Sequence, residues 1–172
     1  ARGFEPAWSH SRGPTRQARE ILEAIRNTGS EGLLPDDYHD QRLNAMATRL
    51  EILPVGAGPE RTALRADFDL LMTDAVFLLS AHILGGRVNP ETIHGSWNAF
   101  SHEVDLIELV NKGLQEERLV QVIKGLHPPY AGYTGVRRAL AEYRRMAAAG
   151  GWPRLPEGPS LHPGDEDPAV AR

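Results

Sequence analysis

Two histidines, His94 and His102, flank Trp97, and the carboxylates Glu103 and Asp105 follow directly. Imidazoles and carboxylates gathered this way can ligate a metal or share a proton as acid and base. The spacing matches neither His-Glu-x-x-His nor a His-x-x-x-His pair on one helix face. The segment reads instead as a loop leading into a helix capped by Ser101, with acids in the first turn where the helix dipole favours them. Asp74 lies inside the most apolar stretch of the chain, beside Thr73 and ahead of Ala75-Val76-Phe77. A carboxyl group buried there could act as a catalytic acid. The structural expectation is a buried acid that pairs with an arginine or a tyrosine hydroxyl and fixes helix packing, with Arg87 as its partner. A hydrolase using Asp74 or Glu103 is the enzymatic alternative.

The other candidate groups resolve into ordinary structure. Asp36, Asp37, His39 and Asp40 follow Pro35 in a turn, lack the glycine and glutamate spacing of a calcium loop, and include an expected N-cap at Asp40. Gly56 and Gly58 precede a helix but follow no strand, which removes the phosphate-loop reading. The chain has no cysteine, so disulfides, thiolate nucleophiles and cysteine-ligated metal sites are excluded. No metal and no cofactor is expected.

The elements that must position these residues are helical. With 172 residues, 41% hydrophobic and 24% charged, the chain can bury one core. A net charge of -4 argues against a nucleic-acid partner. The densest apolar run, Ala75 to Leu84, is too short for the roughly 20 residues of a membrane span, so none is expected. Pro14 opens a helical pattern that Gly29 closes, with Ala18, Ile21, Leu22 and Ile25 on one face. A second helix follows Asp40 with Leu43, Met46, Ala47 and Leu50 inward. Pro59 to Leu84 is the longest and most apolar helix, carrying Leu64, Phe68, Leu71, Ala75 and Leu78 on one face, with Gly85-Gly86 as its stop. Two short helices, Val104 to Leu114 and Leu119 to Leu126, precede the Pro128-Pro129 break. A last helix runs from about Gly135 to Ala149, with Val136, Leu140, Tyr143 and Ala147 inward and an ion-paired outer face of arginines around Glu142. No period-two alternation or hairpin turn signal stands out, so the fold class is all-α: an irregular bundle of about six helices with an extended C-terminal linker.

Trp97, Tyr130, Tyr133 and Trp152 gather near the breaks where loops leave the bundle. They either close the ends of the core or anchor a neighbouring domain or a sugar ring.

Read in order, Gly32-Leu33-x-Pro35-x-Asp37-Tyr38, Leu70-Leu71-Met72-Thr73-Asp74-Ala75, Gly85-Gly86-Arg87-Val88-Asn89-Pro90, Trp97, the Pro-Pro-x-Tyr turn at Tyr130, and Gly150-Gly151-Trp152-Pro153 carry a family likeness. The chain resembles the scaffold domain of the large murein L,D-transpeptidases of Gram-negative bacteria, over roughly residues 14 to 160. The resemblance implies a periplasmic wall enzyme that cross-links peptide stems through a cysteine thioester. Its catalytic domain would lie downstream, so no catalytic residue is carried over to this cysteine-free chain. Residues 1–13 are expected as a flexible lead-in, 14–151 as the helical scaffold, and 152–172 as a linker running into the opening of a peptidoglycan-binding repeat. The absence of an initial methionine and of a signal-like segment is expected of a chain whose targeting peptide was removed or left out. The implied partners are the protein's own peptidoglycan-binding and catalytic domains, with peptidoglycan itself or a wall-synthesis protein as the alternative.

Overall fold

The structure, a computed structural model, describes residues 5–88, 92–93, 104–152, 158, 160 and 162–164. It is predominantly α-helical, with six α-helices and a small two-stranded ribbon among those residues.

The chain enters through the ribbon, whose strands β1 (Ser9–His10) and β2 (Gly13–Pro14) pair antiparallel, with Ser9 opposite Pro14 and His10 opposite Gly13. Thr15 then caps α1 (Arg16–Arg26), its hydroxyl accepting from the Ala18 N–H at 3.1 Å. The apolar positions Ala18, Ile21, Leu22 and Ile25 are all buried, as their three-and-four spacing requires. A 3-10 turn, Asn27–Glu31, carries the chain on to Gly32, whose φ of +78° is a left-handed cap that favours glycine. A second 3-10 turn, Pro35–Tyr38, leads into α2 (Asp40–Ile52). Asp40 does not cap α2 as expected. His39 takes the cap position in a left-handed conformation and its carbonyl accepts from Leu43, while the Asp40 carboxylate accepts from the Asn44 amide at 2.8 Å.

The centre of the fold is α3 (Gly58–Gly85), with Pro59 in its first turn. Phe68, Met72, Ala75 and Val76 are fully buried and Leu79 nearly so, while the expected Leu71 and Leu78 are half-buried and Leu70 is exposed. Contrary to expectation, α3 is long and apolar enough to cross a bilayer by length and composition. Its buried stripe is instead the shared wall of the core. Two of the acids on α3, Asp69 and Asp74, both have protein partners.

α4 (Leu106–Gln115) and α5 (Leu119–Lys124) form a tight helical pair. The cap of α4 is Asp105, which accepts from the N–H groups of Ile107 and Glu108 at 2.9 and 3.0 Å. The expected cap, Ser101, lies outside the described residues. A Cβ on Gly113 would stand 2.9 Å from Leu119 Cδ1 and 3.1 Å from its Cα, so hydrogen at this position is what lets the two helices touch.

Two further expectations fail. The lead-in is not a flexible segment where it is described, because Trp8 is 1% exposed. Its indole N–H donates to Thr73 Oγ1 at 2.9 Å, and its backbone N–H, with that of Ala7, donates to Asp69 Oδ1. A large apolar ring with one polar tie of its own to α3, and two more from the adjoining backbone, packs as core. The last helix, α6 (Ala131–Ala148), buries no residue: Val136 is 69% and Tyr143 61% exposed. Of the stripe expected to face inward, only Leu140 meets the body, and the rest of the edge that does so is polar or aromatic.

Trp8→Ala is expected to lower unfolding stability by about 3–5 kcal/mol, the range for emptying a large aromatic site, measured as a fall in the urea midpoint. Gly113→Ala should cost about 1–3 kcal/mol through forced separation of α4 and α5, again read from the denaturation midpoint.

Candidate interaction surface

The body of the fold meets α6 at one carboxylate. Glu31 ends the first 3-10 turn and its side chain is only 11% exposed. Its Oε2 accepts from the Tyr133 hydroxyl at 2.6 Å, and its Oε1 lies 2.7 Å from Arg137 Nη2. His127 completes the cluster. Its Nδ1 faces the Lys124 carbonyl at 2.7 Å, and a carbonyl can only accept, so Nδ1 carries the proton and Nε2 is turned toward Glu31 Oε1 at 3.3 Å. The His127 and Tyr133 rings stand 5.9 Å apart, and the Arg137 guanidinium lies 6.0 Å from the Tyr133 ring centre.

Farther along α6, Arg144 donates to the Gly29 carbonyl. Leu140 lies over Gly32, close enough that a Cβ there would touch its Cδ2 at 3.7 Å. Tyr133, Arg137, Leu140 and Arg144 succeed one another at intervals of four, three and four, which is one edge of a helix. Beside them a cleft of about 460 Å³ opens between α1, α3, α5 and α6, with Leu79, Ile83, Val120 and Ile123 among its apolar lining and Glu31, His127 and Arg137 at its polar end.

Tyr133 is held in its neutral form. Burial, then the hydrogen bond and the charge of Glu31, push its pKa up to about 12, against an opposing pull from Arg137. Tyr38 is also raised to about 12, by burial and by the charge of Asp37, and its hydroxyl meets His82 Nδ1 at 3.0 Å. Each tyrosine holds its proton more tightly folded than unfolded. Their contribution to stability is therefore complete below pH 10 and lost as pH rises through about 12.

The remaining sequence candidates fall apart as sites. Asp74 is not buried; its side chain is 64% exposed and bonds His39 Nε2 at 2.8 Å. Its expected partner Arg87 pairs with Asp37 instead, at 3.1 Å. The helical periodicity that put Asp74 in an apolar stretch did not say which way it faced. Asp36 accepts from Gln41 at 3.3 Å, so the acidic turn is occupied with holding its own elements. His94, Trp97, His102 and Glu103 lie outside the described residues. No group of metal-ligating side chains forms among those described. Hydroxyls that could have been nucleophiles donate to backbone carbonyls: Thr28 to Ile25, Ser30 to Asn27, Thr73 to Asp69 and Ser80 to Val76.

Of the interaction candidates, Tyr133 is turned inward onto Glu31, whereas Tyr130 and Trp152 are 65% and 74% exposed. The arginine face is not ion-paired with Glu142. Arg137 and Arg144 reach back to the body.

A family model described as Scaffold domain matches residues 1–140. The chain belongs to the Scaffold domain family. The match takes in the N-terminal ribbon with Trp8 and the whole Glu31 cluster, while Arg144 lies beyond it, so the Glu31 contacts that seat α6 are part of the scaffold domain. No curated protein and no solved structure matches the sequence.

Glu31→Gln removes one of the causes that raise Tyr133, the carboxylate charge, and leaves its burial in place. Spectrophotometric titration should then show the Tyr133 ionisation moving part of the way down from about 12 while that of Tyr38 stays in place. The stability lost between pH 10 and 12 should shrink in the same variant, measured by thermal unfolding across that range.

Proposed function

We propose that this scaffold domain is the non-catalytic helical body of a periplasmic murein L,D-transpeptidase. It positions peptidoglycan-binding and catalytic domains that lie outside this chain, and it serves peptidoglycan cross-linking and wall biogenesis. The observation that carries the reading is the arrangement of α6. The last helix is seated on a packed body through one edge, it buries no side chain of its own, and it ends in an exposed Trp152. That is how a body presents a neighbour. The cysteine-free composition and hydroxyls engaged by backbone carbonyls agree with chemistry performed elsewhere. The ordered likeness from Gly32-Leu33 to Gly150-Gly151-Trp152-Pro153 supplies the transpeptidase context.

The exposed Tyr130 and Trp152 favour a second reading, an interaction module that itself binds peptidoglycan or a wall-synthesis protein, since aromatic faces stack on sugar rings and fill partner pockets.

The first reading expects the coding sequence beyond Arg172 to continue into a peptidoglycan-binding repeat and a domain bearing a nucleophilic cysteine. A stop codon soon after Arg172 would count against it. The second expects the 172-residue chain to sediment with purified sacculi, and Trp152→Ala to reduce that binding at least tenfold. No sedimentation at any salt concentration would sink it.

A further inference from the structure

The outer surface of α6 has a composition the body of the fold does not use. Val136 and Tyr143 lie seven residues apart and Met146 three further on, so they share one face of the helix. They are 69%, 61% and 38% exposed, and this stripe lies about a quarter turn around the helix from the edge seated on Glu31. α6 also carries four arginines against one glutamate, in a chain whose net charge is -4. Two of those arginines, Arg138 and Arg145, are exposed and form no ion pair among the described residues.

The chain then leaves α6 by doubling back. Gly150 and Gly151 take φ values of +104° and +79°, and the Gly151 N–H bonds the Met146 carbonyl at 2.9 Å. Whatever follows Trp152 therefore starts beside the last turn, next to Met146. Tethering at that point raises the local concentration of a following domain to the millimolar range, enough for a small patch to hold it.

Resting on the scaffold reading, we infer that the Val136–Tyr143–Met146 stripe is the seat for the domain that follows this one in the same chain. The stripe fits an apolar groove on that domain; Arg138 and Arg145 lie well over a third of a turn farther around the outward side of α6, where they would face carboxylates on a second lip of the same domain. α6 then works as a shared wall, one edge on the scaffold and one face on its neighbour.

The test uses the protein as encoded, with the domains that follow residue 172, and compares Val136→Asp/Tyr143→Asp with wild type and with Leu70→Asp as an exposed control on α3. Docking predicts that the double variant is cleaved at least tenfold faster by protease in the segment after Trp152 and has a larger radius of gyration by small-angle scattering, while Leu70→Asp changes neither. Arg138→Glu/Arg145→Glu should give the same release, and high salt should produce part of it in the wild type. The 172-residue chain carrying Val136→Asp/Tyr143→Asp should keep its far-UV circular dichroism, which separates release from unfolding. A following domain with its cysteine in place, but with proteolysis and scattering unchanged in both variants, overturns the docking and leaves the scaffold reading standing. Absence of any following domain overturns the scaffold reading first. Dimers of the 172-residue chain that Val136→Asp/Tyr143→Asp converts to monomers, or binding to phosphatidylglycerol vesicles lost in the same variant, would reassign the stripe to a second copy or to a lipid surface and overturn the proposal.

Discussion

A helix of 28 residues with an apolar second half cannot stand uncovered in water, and the fold is the solution to that constraint. Most helical stability in proteins comes from packing an apolar face. α1 and α2 both pack against α3, whose Phe68, Met72 and Val76 share the core with residues of both, while Leu114, Leu119 and Ile123 bring the α4–α5 pair into the same core. The few polar groups along α3 become connectors. Asp69 takes the backbone of Ala7 and Trp8, Thr73 takes the indole of Trp8, and Asp74 takes His39. Each ties a different segment to the same central rod. Removing apolar surface from α3 would therefore loosen the ribbon and the acidic turn as well as the core.

The body and its last helix are held by different physics. Inside, side chains interdigitate and the contacts are numerous and undirected. At α6 the contacts are few and directed: a tyrosine hydroxyl, two arginines, one leucine and a histidine around Glu31, Gly29 and Gly32. A half-buried carboxylate shared among several donors gives geometric definition more than adhesion, because desolvating the charges offsets much of what their attraction contributes. This suits an element whose remaining surface is meant for something else.

What the sequence made legible follows the same division. Helical periodicity located α1, α2 and α3, and glycine and proline punctuation marked their ends, because burial imposes a repeat that a reader can count. The same method turned α6 inward. Val136, Leu140, Tyr143 and Ala147 do form an amphipathic stripe, but a stripe does not say which body covers it. Trp8 leaves no pattern in the sequence, because one buried ring in a short ribbon has no period, and its partners lie more than sixty residues away. Glu31 leaves none for a related reason. It stands in a polar turn that reads as solvent-facing, and its importance comes only from Tyr133 and Arg137, over a hundred positions later. Asp74 has unusual neighbours in sequence and ordinary ones in space, where it is exposed and bonded to His39.

The line of contacts along Tyr133, Arg137, Leu140 and Arg144 has a mechanical consequence. Attachments spaced along a single edge stop a rod from sliding or swinging sideways, yet oppose rolling about that edge only weakly, as a door is held by its hinges. A helix is about 10 Å across with its side chains, so a roll of about 30° would carry the outward stripe through roughly 4 Å while the Glu31 bonds are kept. The scaffold would then hold its neighbour at a set position and leave it one soft rotation.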